Sequence, residues 1–164
     1  MAPPPVFQAP LESPIGRLWV AVSSRGLVSV TRGDGPDPDA IGPRALDPEA
    51  VAKALTELEA YFAGRRRRFS IPLDLRGAGS FDAAVWSAAR QIPYGETVSY
   101  GELAAMAGYP RAARAAGGSM ARCPFSPVVP CHRAIHADGS IGGWGVDTWV
   151  KRWLLDLERG GFGR

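Results

Sequence analysis

The sequence predicts an α+β chain of two small lobes: an N-terminal sheet with one helix, then a mostly helical C-terminal half carrying a helix-turn-helix. Three observations predict it. Short β-rich runs with turn signals fill the region before residue 76. Helical spacing of apolar residues dominates after residue 80. A capping box and a Gly-Tyr-Pro turn join two short helical segments between Ser99 and Gly118. The 164 residues suffice for one compact domain or two lobes. The expected division is a flexible tail over 1–10, an α+β domain over 11–76 and a C-terminal domain over 77–164.

Residues 1–10 carry four prolines and read as a loose extended tail. Arg17 to Ser23 and Leu27 to Thr31 are two strands joined by Ser24-Arg25-Gly26 as a hairpin. Gly33 to Pro48 is rich in Gly, Pro and Asp and reads as a loop. Asp47-Pro48 supplies an N-cap and a first-position proline, and Val51, Leu55, Leu58 and Phe62 follow at helical spacing until Gly64. Phe69, Ile71, Leu73 and Leu75 alternate as in a strand. The run Arg65 to Arg68 reads as the solvated start of that strand.

Ser80 caps a helix with Phe81, Val85, Trp86 and Ala89. Ser99-Tyr-Gly-Glu102 is a capping box whose helix stops at Gly108. Pro110 opens the next short helix, Arg111 to Gly118. Pro124, Pro127 and Pro130 hold the following stretch extended. His136-Ala-Asp138-Gly139 reads as a hairpin turn. Asp147 caps a last helix with Val150, Trp153, Leu154 and Leu157 on its apolar face.

Composition excludes several classes. Nearly half the residues are apolar and both signs of charge are present, so the chain is globular, not disordered. Met1-Ala-Pro-Pro-Pro-Val6 has neither a basic region nor an apolar run, so no signal peptide is expected. No stretch reaches the ~20 apolar residues of a membrane span. A cytoplasmic protein is expected, with Cys123 and Cys131 as thiols. Net charge is +3, and residues 83–137 hold five Arg (90, 111, 114, 122, 133) against two Glu (96, 102). That bias suits a polyanion such as DNA, although an Arg-rich composition alone fits equally.

The chemistry centres on Pro130-Cys131-His132-Arg133. A free thiol ionises at about 8.5, so a neighbouring base or cation is needed to make it a nucleophile. Adjacent strand residues face opposite ways, so His132 meets Cys131 only through a bend or a bridging water. Taken alone, the pair is weak evidence, and a buried Cys beside a surface His is the better reading of it. Glu158 lies four residues after Leu154 and eight after Val150, on the apolar face of the last helix. A carboxylate there needs a partner, and His132 is a natural one. A carboxylate that fixes an imidazole, which then draws a thiol proton, is triad logic. Periodicity also admits a Glu fraying into solvent at a helix end.

Val129-Pro-Cys-His-Arg-Ala-Ile135 resembles the active-site signature of the O6-alkylguanine-DNA alkyltransferases, also known as methylated-DNA–protein-cysteine S-methyltransferases. Ser13-Pro-Ile-Gly16, Phe81-x-x-x-Val85-Trp86, Ile92-Pro-Tyr-Gly-Glu-Thr97 and Ser99-Tyr100-Gly-Glu-Leu103 are similar to further family signatures. Arg111-Ala-Ala-Arg114-Ala-Ala-Gly-Gly118 resembles the recognition helix, and Lys151-Arg-Trp-Leu-Leu155 with Glu158 resembles the last helix. The resemblance spans about residues 11 to 160, and several ordered motifs are far more specific than one. It implies a ribonuclease H-like N-terminal lobe and a C-terminal DNA-binding, alkyl-accepting lobe. The implied reaction is irreversible, single-turnover transfer of an alkyl group from O6-alkylguanine in double-stranded DNA to Cys131. O4-alkylthymine is a further candidate substrate. Catalytic roles are implied for Cys131, His132, Glu158 and Tyr100, the last rotating the nucleotide and bonding the leaving guanine. Arg114 would fill the place of the extruded base. Ala112, Ala113, Ala115, Ala116 and Gly117 would lie against a minor groove only ~6 Å wide, with Tyr100 and Arg133 also at the DNA. Close helix packing explains the same small residues, and a solvated charge explains Arg114. Pro130, Met120, Trp144, Gly145 and Val146 would line the alkyl pocket. No metal or cofactor, no membrane and a monomeric state are expected.

Three departures stand out. Cys123, before Pro124, occupies a position where the family usually has Asn, and a thiol is a poorer hydrogen-bond partner. Trp144 replaces a usual Tyr within Gly143-Trp-Gly-Val-Asp147, and Asp82 replaces a common Gln. Competing readings are an alkyltransferase-like damage sensor, which lacks the acceptor Cys; a thiol hydrolase using Cys131, His132 and Glu158; and a major-groove regulator, for which the Ala-rich helix has few polar readers.

Overall fold

A computed structural model describes residues 4–35, 44–142 and 147–161. Contacts divide the chain into two compact units, Met1–Arg76 and Gly77–Arg164. The protein is α+β, and among the described residues no helix is long and apolar enough to cross a membrane.

The first unit is a four-stranded sheet backed by one helix. Its strands are β1 (Val6–Ser13), β2 (Gly16–Ser23), β3 (Gly26–Arg32) and β4 (Arg44–Leu46), in the order β3-β2-β1-β4. The β2–β3 hairpin forms as expected, with Gly26 at φ +136; a Cβ there would lie 2.3 Å from the Pro72 carbonyl oxygen, so only glycine fits. The expected tail is corrected: β1 begins at Val6 and is an inner strand, with Ala9 and Leu11 buried. Proline survives there because β4 pairs only with Val6 to Gln8, leaving Pro10 beyond the short partner, where a missing N–H breaks no ladder. The 33–48 segment, read as a loop, ends in β4; residues 36–43 lie outside the described ones.

Helix α1 (Pro48–Phe62) starts as anticipated, the Asp47 carboxylate accepting from the Glu49 and Ala50 amides. Residues 69–75 do not form the expected strand; only Leu73 bridges Leu27. Pro72 has no N–H, and the Ser70 and Ile71 amides donate to the buried Glu57 carboxylate on α1 instead of to a strand. Arg66 also folds back to Glu57 at 2.9 Å, so the Arg run is partly structural.

The second unit holds α2 (Ser80–Ala89), β5 (Val98–Ser99), α3 (Tyr100–Met106), α4 (Ala113–Arg122), a 3-10 turn (Cys131–Arg133), β6 (Ala134–Ile135) and α5 (Thr148–Glu158). Ser80 is the first helical residue of α2, not its cap, which is Gly79. The Ser99–Glu102 capping box is complete. Helix α4 runs later than expected, from Ala113 to Arg122, because Pro110 and Arg111 are spent on the turn after α3. His136 to Ser140 turns tightly, but β6 pairs parallel with β5, so the described strands make no hairpin there. Asp147 occupies the N-cap position of α5 without a side-chain capping bond. Trp86 ties α2 to α4 by donating to the Ser119 carbonyl at 3.0 Å, and packs edge-on against Phe125.

Candidate active site

The stretch from Pro124 to Pro130 does not run extended as expected but turns, with the Val129 amide donating to the Phe125 carbonyl at 3.0 Å; after Pro130 the chain enters the 3-10 turn, with the Arg133 amide donating to the Pro130 carbonyl at 2.9 Å. At three residues per turn, successive side chains diverge by about 120° rather than the 180° of a strand. The backbone therefore bends between Cys131 and His132. All three residues of the turn are buried, Cys131 being 1% exposed.

Helix α5 supplies the carboxylate. The His132 Nε2–Glu158 Oε1 distance is 2.6 Å. Arg133 grips the same group bidentately, Nη2 to Oε1 at 2.7 Å and Nε to Oε2 at 2.8 Å, and the Gly95 amide donates to Oε2 at 3.2 Å. Burial works to raise the Glu158 pKa, but the bonds from His132 and Arg133 outweigh it and hold the carboxyl far below its usual range. An ionised Glu158 accepts from His132, so Nε2 carries the ring hydrogen and Nδ1 is the basic nitrogen. Burial depresses the His132 pKa despite Glu158, keeping the ring neutral near pH 7.

Arg133 is corrected from a DNA-facing cation to a buried partner: its Nη1 also donates to the Ile92 carbonyl at 2.6 Å. A guanidinium so placed neutralises Glu158 from within, which a phosphate contact would prevent.

The β5–β6 register, Ser99 opposite Ile135, sets Tyr100 beside His136, with ring centroids 5.3 Å apart. A Cβ on Gly142 would lie 2.9 Å from His136 Nε2 and 3.3 Å from the Tyr100 hydroxyl oxygen, so the chain passes closely over both. Lys151 of α5, fully buried, donates to the Ala134 carbonyl at 2.6 Å and to the Tyr100 hydroxyl at 3.2 Å. Burial pulls its pKa down to about 8. Burial also raises the Tyr100 pKa, so its phenol keeps its hydrogen at neutral pH.

Cys131 carries opposing influences. The neighbouring Cys123 thiol and burial push its pKa well up, while the Lys151 charge pulls it down. At rest the sulfur is therefore a thiol, and its ionisation needs a base.

Arg114, Ala113 and Ala115 are exposed on α4, and Ala112 is half-buried at its start. Ala116 is corrected: it is fully buried, so it packs inside the unit and cannot touch a duplex. Gly117 is half-buried, its missing Cβ 3.8 Å from the Tyr100 ring. Met120 and Pro130 are buried; Trp144, Gly145 and Val146 lie outside the described residues. Two participants escaped sequence reasoning. Lys151 shares the i, i+3, i+4, i+7 stripe of Leu154, Leu155 and Glu158, a cation on an apolar face that spacing could have flagged. The nearness of Cys123 to Cys131 carried no local signal. Asp82, the unusual residue of α2, pairs with Arg122 of α4 at 2.8 Å.

The chain is similar to known proteins over most of its length. Residues 6–75 match the family model for the 6-O-methylguanine DNA methyltransferase ribonuclease-like domain, and residues 80–160 match that for its DNA binding domain. The chain is 45% identical over 150 residues to the methylated-DNA–protein-cysteine methyltransferase of Mycolicibacterium paratuberculosis, covering 91% of this chain and 90% of the relative. It is 39% identical over 151 residues to a DNA base-flipping protein of Thermus thermophilus, covering 90% and 97%. The Mycobacterium tuberculosis OGT solved in complex with DNA superposes with a TM-score of 0.82 at 39% identity, covering 94% of each chain. With two consecutive domains matched in order and relatives similar over nine-tenths of its length, this chain belongs to the 6-O-methylguanine DNA methyltransferase family.

Proposed function

We propose that this protein repairs duplex DNA by moving an alkyl group from guanine O6 to the Cys131 sulfur, once per molecule and irreversibly. The observation that carries the reading is the buried Glu158–His132 pair at 2.6 Å, with His132 next in the chain to the buried Cys131. Neutral His132, held by Glu158, takes the Cys131 proton, and the Lys151 ammonium offsets the charge left on sulfur. The thiolate attacks the carbon bonded to O6; the carbon–oxygen bond breaks and its electron pair leaves with guanine. Tyr100 accepts from Lys151, so its own hydrogen is available to the departing base. The product thioether has no group that water readily displaces, which makes the reaction stoichiometric and needs no cofactor.

Exposed Arg114 and the small flank Ala113 and Ala115 suit entry to a minor groove, with Arg114 holding the place of an extruded base. A reducing cytoplasm is the compartment that suits a free acceptor thiol.

Intact-mass spectrometry after incubation with an O6-methylguanine oligonucleotide tests the reading. The expected result is a gain of one methyl group, mapped to Cys131 and absent in Cys131→Ala. Tight binding with no mass change would instead mark a damage sensor, and repeated turnover a thiol hydrolase.

A further inference from the structure

We propose that Arg122 is a further contact for a DNA backbone phosphate, and that Asp82 competes with the phosphate for it. That role rests on α4 being the helix that meets the duplex. Arg122 is the last residue of α4, and its side chain is 59% exposed. At about 100° per residue, Arg114, Gly118 and Arg122 fall within an arc of about 80° on the solvent side of the helix. Ala116, Ser119 and Met120 take the core side. Helical side chains lean toward the N-terminus, and a Cβ on Gly118 would lie 3.2 Å from Arg122 Nη1. The guanidinium is therefore laid back across Gly118, one turn along toward Arg114, over a residue with no side chain to obstruct it.

Asp82 is the acidic residue of α2, and α4 has none. Its carboxylate accepts from Arg122 Nη2 at 2.8 Å, and that bond holds its pKa below the usual range, so it is ionised at neutral pH. In the free protein the Arg122 charge is thus offset by a carboxylate on the neighbouring helix. A pair with one partner this exposed is weak, worth at most about fivefold in an equilibrium, and salt screens it. A duplex carries about one negative charge per 1.7 Å of its axis, and each phosphate that is neutralised releases condensed counterions. The polyanion therefore outcompetes the single carboxylate, and Arg122 leaves Asp82 for a phosphate oxygen. A backbone phosphate carries no information about sequence. Asp82 accordingly weakens binding to every duplex by the same factor. The result is quicker release from undamaged DNA, without any change to the groups assigned to the extruded base.

Full-length protein is titrated with two undamaged duplexes of different sequence, from about 50 to about 200 mM salt. Arg122→Ala should weaken binding to both about fivefold at the low end, and flatten the slope of log affinity against log salt by about 0.9. Arg122→Lys keeps the charge and should keep the slope. Asp82→Asn should tighten binding about threefold at an unchanged slope, and should lose most of that gain in an Arg122→Ala background. A pair that only ties α2 to α4 gives a different pattern: both single variants weaken binding together and leave the slope alone. That pattern, an unchanged slope in Arg122→Ala, or equal tightening by Asp82→Asn with and without Arg122, overturns the proposal. Wild-type protein that binds neither duplex overturns the DNA-facing reading of α4 as well. Duplex binding whose slope Arg122→Ala leaves unchanged removes Arg122 alone.

Discussion

Glu158 binds three neighbours at once, and its removal exposes what each costs. Glu158→Gln keeps the shape but leaves the Arg133 guanidinium buried opposite a neutral amide. Breaking one side of a buried ion pair typically costs about 3–5 kcal/mol. Urea unfolding should show a loss of that size, and a loss below about 1 kcal/mol would contradict the ion-pair reading. The same change leaves His132 without its anionic partner, so alkyl transfer should slow by about 100-fold or more. His132 also sets a pH limit on the rate. Burial holds its pKa below the ordinary 6.5, so the ring stays a competent base to lower pH than a free imidazole. The acid limb of the transfer rate should therefore have its midpoint below 6.5. A midpoint at or above that value, in single-turnover kinetics, would remove His132 as the base.

Helices α3 and α4 hold the side chains that the proposed function assigns to DNA. Ser99 caps α3 and Glu102 returns to the Ser99 amide, which anchors Tyr100 at the first helical position. Replacing Ser99 by Ala should cost about 1 kcal/mol in stability, read by thermal or urea unfolding. On α4 the burial pattern separates two jobs that the residue types alone had merged. Ala113, Arg114 and Ala115 face solvent, whereas Ala116, Ser119 and Met120 face the core. Arg114→Ala should slow transfer from duplex O6-methylguanine about 10- to 100-fold, the scale of a few kcal/mol for extruding a base. Reaction with the free O6-alkylguanine base, which needs no extrusion, should be unchanged. An equal loss on both substrates would mean that Arg114 supports the site rather than the flipped nucleotide.

For the whole molecule, buried His132, Glu158 and Lys151 make stability a function of pH with one sign. His132 and Glu158 have folded pKa values below their unfolded ones, so the unfolded chain binds more protons in acid. Their contribution is full above about 6.5 and 4.5 respectively and is lost as pH falls through the folded values. Lys151, lowered to about 8, adds a slope of the same sign between there and 10.5. The midpoint of thermal unfolding should thus drop on acidification from below pH 6.5, and a flat profile down to pH 4.5 would refute the buried network. The local features were legible in the chain because each depends on near neighbours: the Asp47-Pro48 helix start, the Ser99–Glu102 box, the glycine turns and the ordered motifs with their carboxylate on the α5 face. What lay beyond reach depends on partners far apart in sequence. Pro10 sits in an inner strand only because β4 is short; residues 69–75 leave the sheet because Glu57 takes their amides. Arg133 turns inward because Glu158 waits there. Local propensity and periodicity are written in adjacent residues, whereas the burial of a charge is decided by which distant atoms share the space.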